Sequence, residues 1–166
     1  MALAEDEQRR FRILALPALL ALHRLARALC ADRSAADDLL QETYLRGLRY
    51  FRTYKGGDMR AWLATIMRNL YRSGFGADPP LVDLSMAEAE ADHAPTPEQT
   101  TLRRHEDAAL RHHIAALPDA QREALVLREF SELSYMEIAK IQNVPVGTVM
   151  SRLARARASL RESLTP

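Results

Sequence analysis

The chain has 166 residues, 48% of them apolar and 27% charged, with one cysteine and a formal net charge of +1. That length suits one ordinary domain or two small ones, and the apolar content excludes compositional disorder. The lone Cys30 excludes an internal disulfide and suits a reducing cytoplasm.

The near-neutral total hides an uneven distribution. Residues 1–73 carry 13 basic and 8 acidic side chains, net +5. Residues 74–101 carry none basic and 6 acidic, net −6, and residues 102–166 carry 10 basic and 8 acidic, net +2. Two mildly basic blocks flanking an acidic segment are two candidate nucleic-acid surfaces. Lys55 and Lys140 are the only lysines. Arginine suits phosphate and guanine recognition, although the same bias also follows from a GC-rich genome.

The first expected helix runs from about Glu5 to about Cys30, with a break or restart at Pro17. Leu19, Leu22, Leu25, Ala26 and Leu29 form its apolar stripe. The apolar run Ile13 to Leu22 is too short to span a membrane and leads into His23, Arg24 and Arg27. No signal peptide is visible, and no membrane insertion is expected. Ser34 is the expected cap of the next helix, with Asp37 at the capping-box position and Leu40, Tyr44 and Leu48 facing inward. A loop with two adjacent glycines spans Arg52 to Gly57. Asp58 then caps a third helix to about Arg72, on which Trp62, Ile66 and Leu70 align at spacing four.

From Gly74 to Pro95 the periodicity fails, and glycine, proline and acidic residues predict a flexible linker. Thr96-Pro97 restarts a helix to about Ala116. Pro118 starts another to about Phe130, with Ala124, Leu125, Val126 and Leu127 as its apolar contacts. Ser134 and Glu137 form a capping box for a short helix, Asn143 permits a left-handed turn, and Pro145 stops that helix. A last helix begins near Val146 and packs Val149, Leu153, Ala156 and Leu160 inward. Thr148, Ser151, Arg152 and Arg155 project elsewhere. This is a helix-turn-helix, whose second helix enters the DNA major groove.

Asp37-Asp38-Leu39-Leu40-Gln41-Glu42-Thr43, followed by Arg60-Ala61-Trp62-Leu63 and Arg68-Asn69-Leu70, resembles the N-terminal domain of bacterial extracytoplasmic-function sigma factors. Ala116-Leu117-Pro118, Arg122-Glu123-Ala124 and the helix-turn-helix ending Gly147-Thr148-Val149-Met150-Ser151-Arg152-Leu153 resemble their C-terminal domain. The resemblance covers nearly the whole chain except the linker. It implies an all-α fold of two helical domains, residues 1–73 and 96–166, joined by an acidic linker over 74–95. It also implies binding to the clamp and flap of core RNA polymerase, melting and capture of the −10 promoter element, and duplex recognition of the −35 element. An anti-sigma protein is implied as a further partner, and no residue identifies it.

The resemblance assigns the polar face Asp37, Asp38, Gln41 and Glu42, extended by Arg46, to the polymerase clamp. Without it, the same face reads as a solvated helix surface. Leu40 is expected in the core, and Leu39 fits either role. The loop bearing Arg52, Tyr54 and Lys55 offers a ring, two cations and backbone amides to single-stranded DNA. Its other reading is a plain helix connection. In relatives this loop pockets a flipped base, and flipping costs about a few kcal/mol. Arg60, Arg68 and Asn69 complete the −10 set. Trp62 is a candidate stacking platform, but its spacing with Ile66 favours the core.

Thr148, Ser151 and Arg155 are the −35 candidates nearest base edges, and Arg152 and Arg157 the phosphate candidates. Arg122 and Lys140 are secondary phosphate candidates. Met150 stands where many relatives carry a basic residue, which removes one possible DNA contact. In relatives the linker threads toward the active-site cleft, and Asp78, Asp83, Glu88, Glu90 and Asp92 can mimic RNA phosphates there; a solubilising tether is the other reading. His105, His112 and His113 share one expected helix but have no matching acidic cluster, so no metal or cofactor is expected. No nucleophile is placed beside a base, so no enzyme is expected. Two other readings use the same residues. A plain helix-turn-helix regulator is disfavoured by the acidic face, and a decoy that sequesters an anti-sigma protein is disfavoured by the arginines of the last helix.

Overall fold

The computed structural model describes residues 3–30, 32–74, 106 and 108–165. Apart from Gly74, the expected linker and its five carboxylates lie outside the described residues, as do residues 96–105 with the expected Thr96-Pro97 helix start and His105. Among the described residues every regular element is helical. The N-terminal half holds α1 (Glu5–Ala15), α2 (Leu19–Leu29), α3 (Arg33–Arg49) and α4 (Met59–Arg72). The C-terminal half holds α5 (108–115), α6 (Asp119–Ser131), α7 (Tyr135–Gln142) and α8 (Val146–Leu164).

Local chemistry sets most boundaries. Glu5, Asp6 and Glu7 place negative charge at the positive end of α1. Pro17 sits in a 3₁₀ turn, Leu16–Ala18, that separates α1 from α2 at the expected break. The cap of α3 is Asp32, not Ser34. The extended Asp32 backbone lets its carboxylate accept from the Ala35 amide at 2.8 Å, which leaves Ser34 inside the first turn. Asp58 caps α4 as expected, accepting from the Arg60 amide at 2.9 Å. Ser134 and Glu137 make the expected reciprocal box, at 3.1 and 2.7 Å. Asn143 adopts the left-handed turn, φ 54°, that ends α7.

The buried residues of both halves form one contiguous core. Leu22, Leu25, Ala26 and Leu29 of α2 are buried, as the stripe predicts. α2 packs against α3 and α4 on one side and against α6 of the other half. α6 lies between α2 and α8, so four successive residues, Ala124 to Leu127, are all buried. Leu39 is core, with 1% exposure. On α4 the buried line is Met59, Leu63, Met67 and Leu70, while Trp62 and Ile66 pack half-exposed at its margin. The inner face of α4 is therefore rotated from the line that Trp62, Ile66 and Leu70 suggest. Gly47 of α3 faces α4 and α1. A Cβ there would meet Leu63 Cδ2 at 2.7 Å and the Phe11 ring at 3.2 Å, so the crossing needs the missing side chain.

Candidate polymerase and nucleic-acid interfaces

The polar residues of α3 share a surface. Asp37 is exposed, and Asp38, Gln41 and Glu42 are half-exposed. Glu42 pairs with Arg46 one turn on, at 2.9 Å, and Asp37 lies 3.7 Å from His23 of α2. The backbone spacing of three and four places these side chains together, as expected. The opposite face buries Ala36, Leu39, Leu40 and Thr43, and the Thr43 hydroxyl donates to the Leu39 carbonyl at 2.7 Å.

The loop before α4 is more structured than a plain connection. Phe51–Thr53 forms a 3₁₀ turn. Phe11, Phe51, Tyr54 and Trp62 form a chain of rings, with Phe51 stacked on Tyr54 at 5.9 Å and Tyr54 tilted on Trp62 at 5.3 Å. Tyr54 and Trp62 are half-buried, so both contribute to packing while keeping an exposed part. Arg52 reaches back to Glu7 of α1, donating three hydrogen bonds at 2.9, 3.1 and 3.2 Å. That bond to Arg52, with a second from the Ala4 amide, holds the Glu7 carboxyl below its ordinary range and raises the Arg52 guanidinium. Lys55 is exposed.

The arginines of α4 are turned toward the other half of the molecule. Arg68 bonds Glu123 of α6, and both side chains are mostly buried, at 16% and 13% exposure. Arg72 lies 3.8 Å from the same carboxylate. Arg60 pairs with its own cap Asp58 at 3.3 Å and with Glu132, just beyond α6, at 3.5 Å. The Asp58 hydrogen bond is the main cause of its raised pKa. Asn69 is exposed. The −10 candidates thus divide into Arg60 and Arg68, tied across the seam, Arg52, tied to α1 within its own half, and Tyr54, Lys55 and Asn69, which are in neither set.

On α8, Val149, Leu153 and Ala156 are buried and Leu160 is half-buried, as expected. Ser151 and Arg155 are exposed, and Thr148 is half-exposed. Arg157 pairs with Glu129 of α6 at 2.9 Å, and this bond raises its pKa. Arg152 donates to the Gln142 amide oxygen at 3.0 Å. Arg122 is half-buried, bonding Asp119 at 2.8 Å and the Ala115 carbonyl at 3.1 Å. Lys140 is exposed on α7. Met150, in the first half of α8, is exposed.

Sequence reading missed Glu7, Glu123, Glu132 and Glu129 as partners of the candidate arginines. Pairs such as Arg52–Glu7 and Arg68–Glu123, 45 and 55 residues apart, leave no local signal. His112 and His113 meet edge to face on α5 with rings 5.9 Å apart. Among the described residues no helix is long and apolar enough to cross a membrane.

The comparisons with known proteins follow the same division. The Sigma-70 region 2 family matches residues 18–75, and the Sigma-70, region 4 family matches residues 107–160. The RNA polymerase sigma-H factor of Pseudomonas aeruginosa is 36% identical over 146 residues, covering 81% of this chain and 76% of that protein. The ECF RNA polymerase sigma factor EcfG of Rhodopseudomonas palustris is 38% identical over 150 residues, covering 87% and 80%. Among solved structures, the sigma factor RpoE of Bartonella quintana, crystallised with the anti-sigma factor NepR, superposes with a TM-score of 0.71. It is 26% identical, with 94% of this chain and 97% of that chain covered. Two matched regions in this order, on two packed helical units, establish that the chain belongs to the extracytoplasmic-function sigma factors of bacterial RNA polymerase.

Proposed function

We propose that α3 carries the polymerase contact and that α4 and α8 carry the two promoter contacts of this sigma factor. As a sigma factor the chain binds core RNA polymerase and promoter DNA and directs transcription initiation. Residues 1–73 form the polymerase and −10 unit, 74–95 the connection, and 96–166 the −35 unit. Asp37, Asp38, Gln41, Glu42 and Arg46 meet the clamp. Arg52, Tyr54, Lys55, Arg60, Arg68 and Asn69 take the melted −10 strand by stacking and phosphate contact. Thr148, Ser151 and Arg155 approach base edges of the −35 duplex, with Arg152, Arg157, Arg122 and Lys140 on phosphates. The protein acts in the cytoplasm, where polymerase and DNA are, and the polymerase supplies the chemistry.

One observation carries this reading. The ionic partners of the acidic α3 face, His23 and Arg46, both lie in the N-terminal half, whereas Arg60 and Arg68 of α4 are tied to carboxylates of the C-terminal half. The packed state leaves the polymerase surface available and occupies the −10 surface. Promoter capture then follows polymerase docking, which separates the halves. An anti-sigma protein that favours the packed state would hold the factor inactive, a role supported by the likeness to an RpoE chain crystallised with NepR.

Run-off transcription by purified core polymerase, with and without the chain, on a promoter library tests the proposal. Initiation at a shared −35/−10 pair is expected. The double substitution Asp38→Arg and Glu42→Arg should remove core binding and initiation while leaving the fold intact. Duplex DNA binding without any polymerase binding by the wild type would sink this reading in favour of an ordinary regulator. Polymerase binding without initiation would favour the decoy.

A further inference from the structure

Four arginines from the two halves line one cleft at the seam. Arg68 and Arg72 come from α4, Arg122 from α6 and Arg152 from α8, with Tyr71 on the same wall. The cleft holds about 690 Å³, within the size range of small-molecule sites, roughly 300–1,000 Å³. Among the described residues, two carboxylates stand against the four guanidiniums, Glu123 and Asp119. Glu123 serves both Arg68 and Arg72, and Asp119 serves Arg122. The bonded partner of Arg152 is a neutral amide, and among the described residues no carboxylate lies within ion-pair distance of it. Among the described residues the cleft therefore keeps an excess of fixed positive charge in surroundings less screened than open solvent.

The forks are also held in place. Arg122 is pinned by Asp119 and the Ala115 carbonyl, and Arg152 by Gln142, whose own amide donates to the Ala120 carbonyl at 3.1 Å. Preplaced guanidiniums lose little entropy on meeting an anion, and their planar geometry matches phosphate oxygens. Asp119 and Ala120 lie in the first turn of α6, a 13-residue helix with no side-chain cap, and line the same cleft.

We propose that this cleft binds a small polyphosphate, whose phosphates bridge the arginines of the two halves. Tyr71 offers a ring to a base where the polyphosphate is carried by a nucleoside. Because the site is complete only when the halves are packed, the bound anion stabilises the packed state by mass action. Arg68, Arg122 and Arg152 are also the promoter-facing candidates, so polyphosphate and promoter DNA compete for them.

Isothermal titration of the full chain with tripolyphosphate and with adenosine and guanosine triphosphates, at matched ionic strength, tests the site without polymerase or promoter. Its outcome is thus separable from the initiation reading. Saturable one-to-one binding is expected, weakened by about tenfold or more in Arg72→Ala and in Arg152→Ala. Arg161→Ala, at the exposed C-terminal end of α8, should change it by less than about twofold. Tripolyphosphate should raise the melting temperature of the wild type and not that of Arg72→Ala, a variant of a mostly exposed side chain. Tighter binding of a nucleoside triphosphate than of tripolyphosphate, erased by Tyr71→Leu, would identify a nucleotide as the ligand. Equal affinities would identify an inorganic polyphosphate. Equal losses in Arg161→Ala and Arg72→Ala would reveal only the general attraction of an arginine-rich surface and overturn the site. Absence of saturable binding would overturn it equally.

Discussion

The two proposed promoter surfaces differ in what neutralises their arginines. On α4, Arg60 and Arg68 reach Glu132 and Glu123, residues of the other half. On α8, Arg155 is exposed, and Arg157 is paired inside its own half with Glu129. A charge satisfied across an interface is freed only when that interface opens, whereas a charge satisfied within its own unit keeps its surroundings in either state. On the proposed function, the difference puts the conformational control on the −10 side, while Arg155 of the −35 side stays exposed in the packed chain. The largest effect expected from this contrast is at Arg155. Arg155→Ala should cost roughly 1–3 kcal/mol of discrimination at the −35 element, the worth of one bidentate arginine–guanine contact. Binding of a −10 single strand should not change. Competition assays with matched and mutated −35 duplexes measure the first, and fluorescence anisotropy the second. An Arg155→Ala protein with unaltered −35 preference would remove this residue from base recognition.

Glu123 tests the other side of the contrast. Removing one partner of a buried ion pair costs about 3–5 kcal/mol. Partial exposure and the sharing of Glu123 by two arginines reduce the expected effect to about 1.4 kcal/mol, or tenfold. Glu123→Gln should therefore bind a −10 single-stranded oligonucleotide about tenfold more tightly than the wild type at low salt, with unchanged −35 duplex binding. The gain should shrink as salt rises, because salt weakens the wild-type seam as well. Equal single-strand affinities in the two proteins would mean that the seam does not gate α4.

The fold was largely legible because its signals are local. The Ser134–Glu137 box, the Asp58 cap, the Pro17 break and the left-handed Asn143 each act over a few residues, and each stands where the sequence puts it. The α3 cap was misplaced because Asp32 and Ser34 are both good caps two residues apart, and only the backbone decides between them. Gly47 carried no signal, since its need for a bare Cα comes from Leu63 and Phe11 on other helices. The same limit applies to the candidate sites. The helices that carry Arg60, Arg68 and Arg155 could be read from periodicity, but the carboxylates that engage the first two come from the other half of the chain. The loop before α4 shows the intermediate case. Its cations were visible, yet one of them is tied to α1. Lys55 is exposed while Arg52 is bonded to Glu7. Lys55→Ala should thus lower the slope of log affinity against log salt for single-stranded DNA by about 0.7, the share of one phosphate contact. Arg52→Ala should lower it by no more than this.

The Arg52–Glu7 pair predicts the smallest effect and separates a contact inside one half from the contacts across the seam. Glu7 is half-exposed, and its bond to Arg52 holds its carboxyl below the ordinary value near 4.5. A carboxyl depressed in the folded state adds stability that is present above its unfolded value and lost as pH falls through the folded one. On this argument the wild type should melt slightly higher than Glu7→Gln at neutral pH. The difference should narrow only as pH drops below about 4.5. Because both residues belong to the N-terminal half, Glu7→Gln should leave the single-strand gating by Glu123 as it is. Thermal melts of the two proteins between pH 7 and pH 3, together with the anisotropy assay, test both statements. A Glu7→Gln variant that released the −10 surface as Glu123→Gln does would show that the loop and the seam open together, and the division between local and cross-seam arginines would not hold.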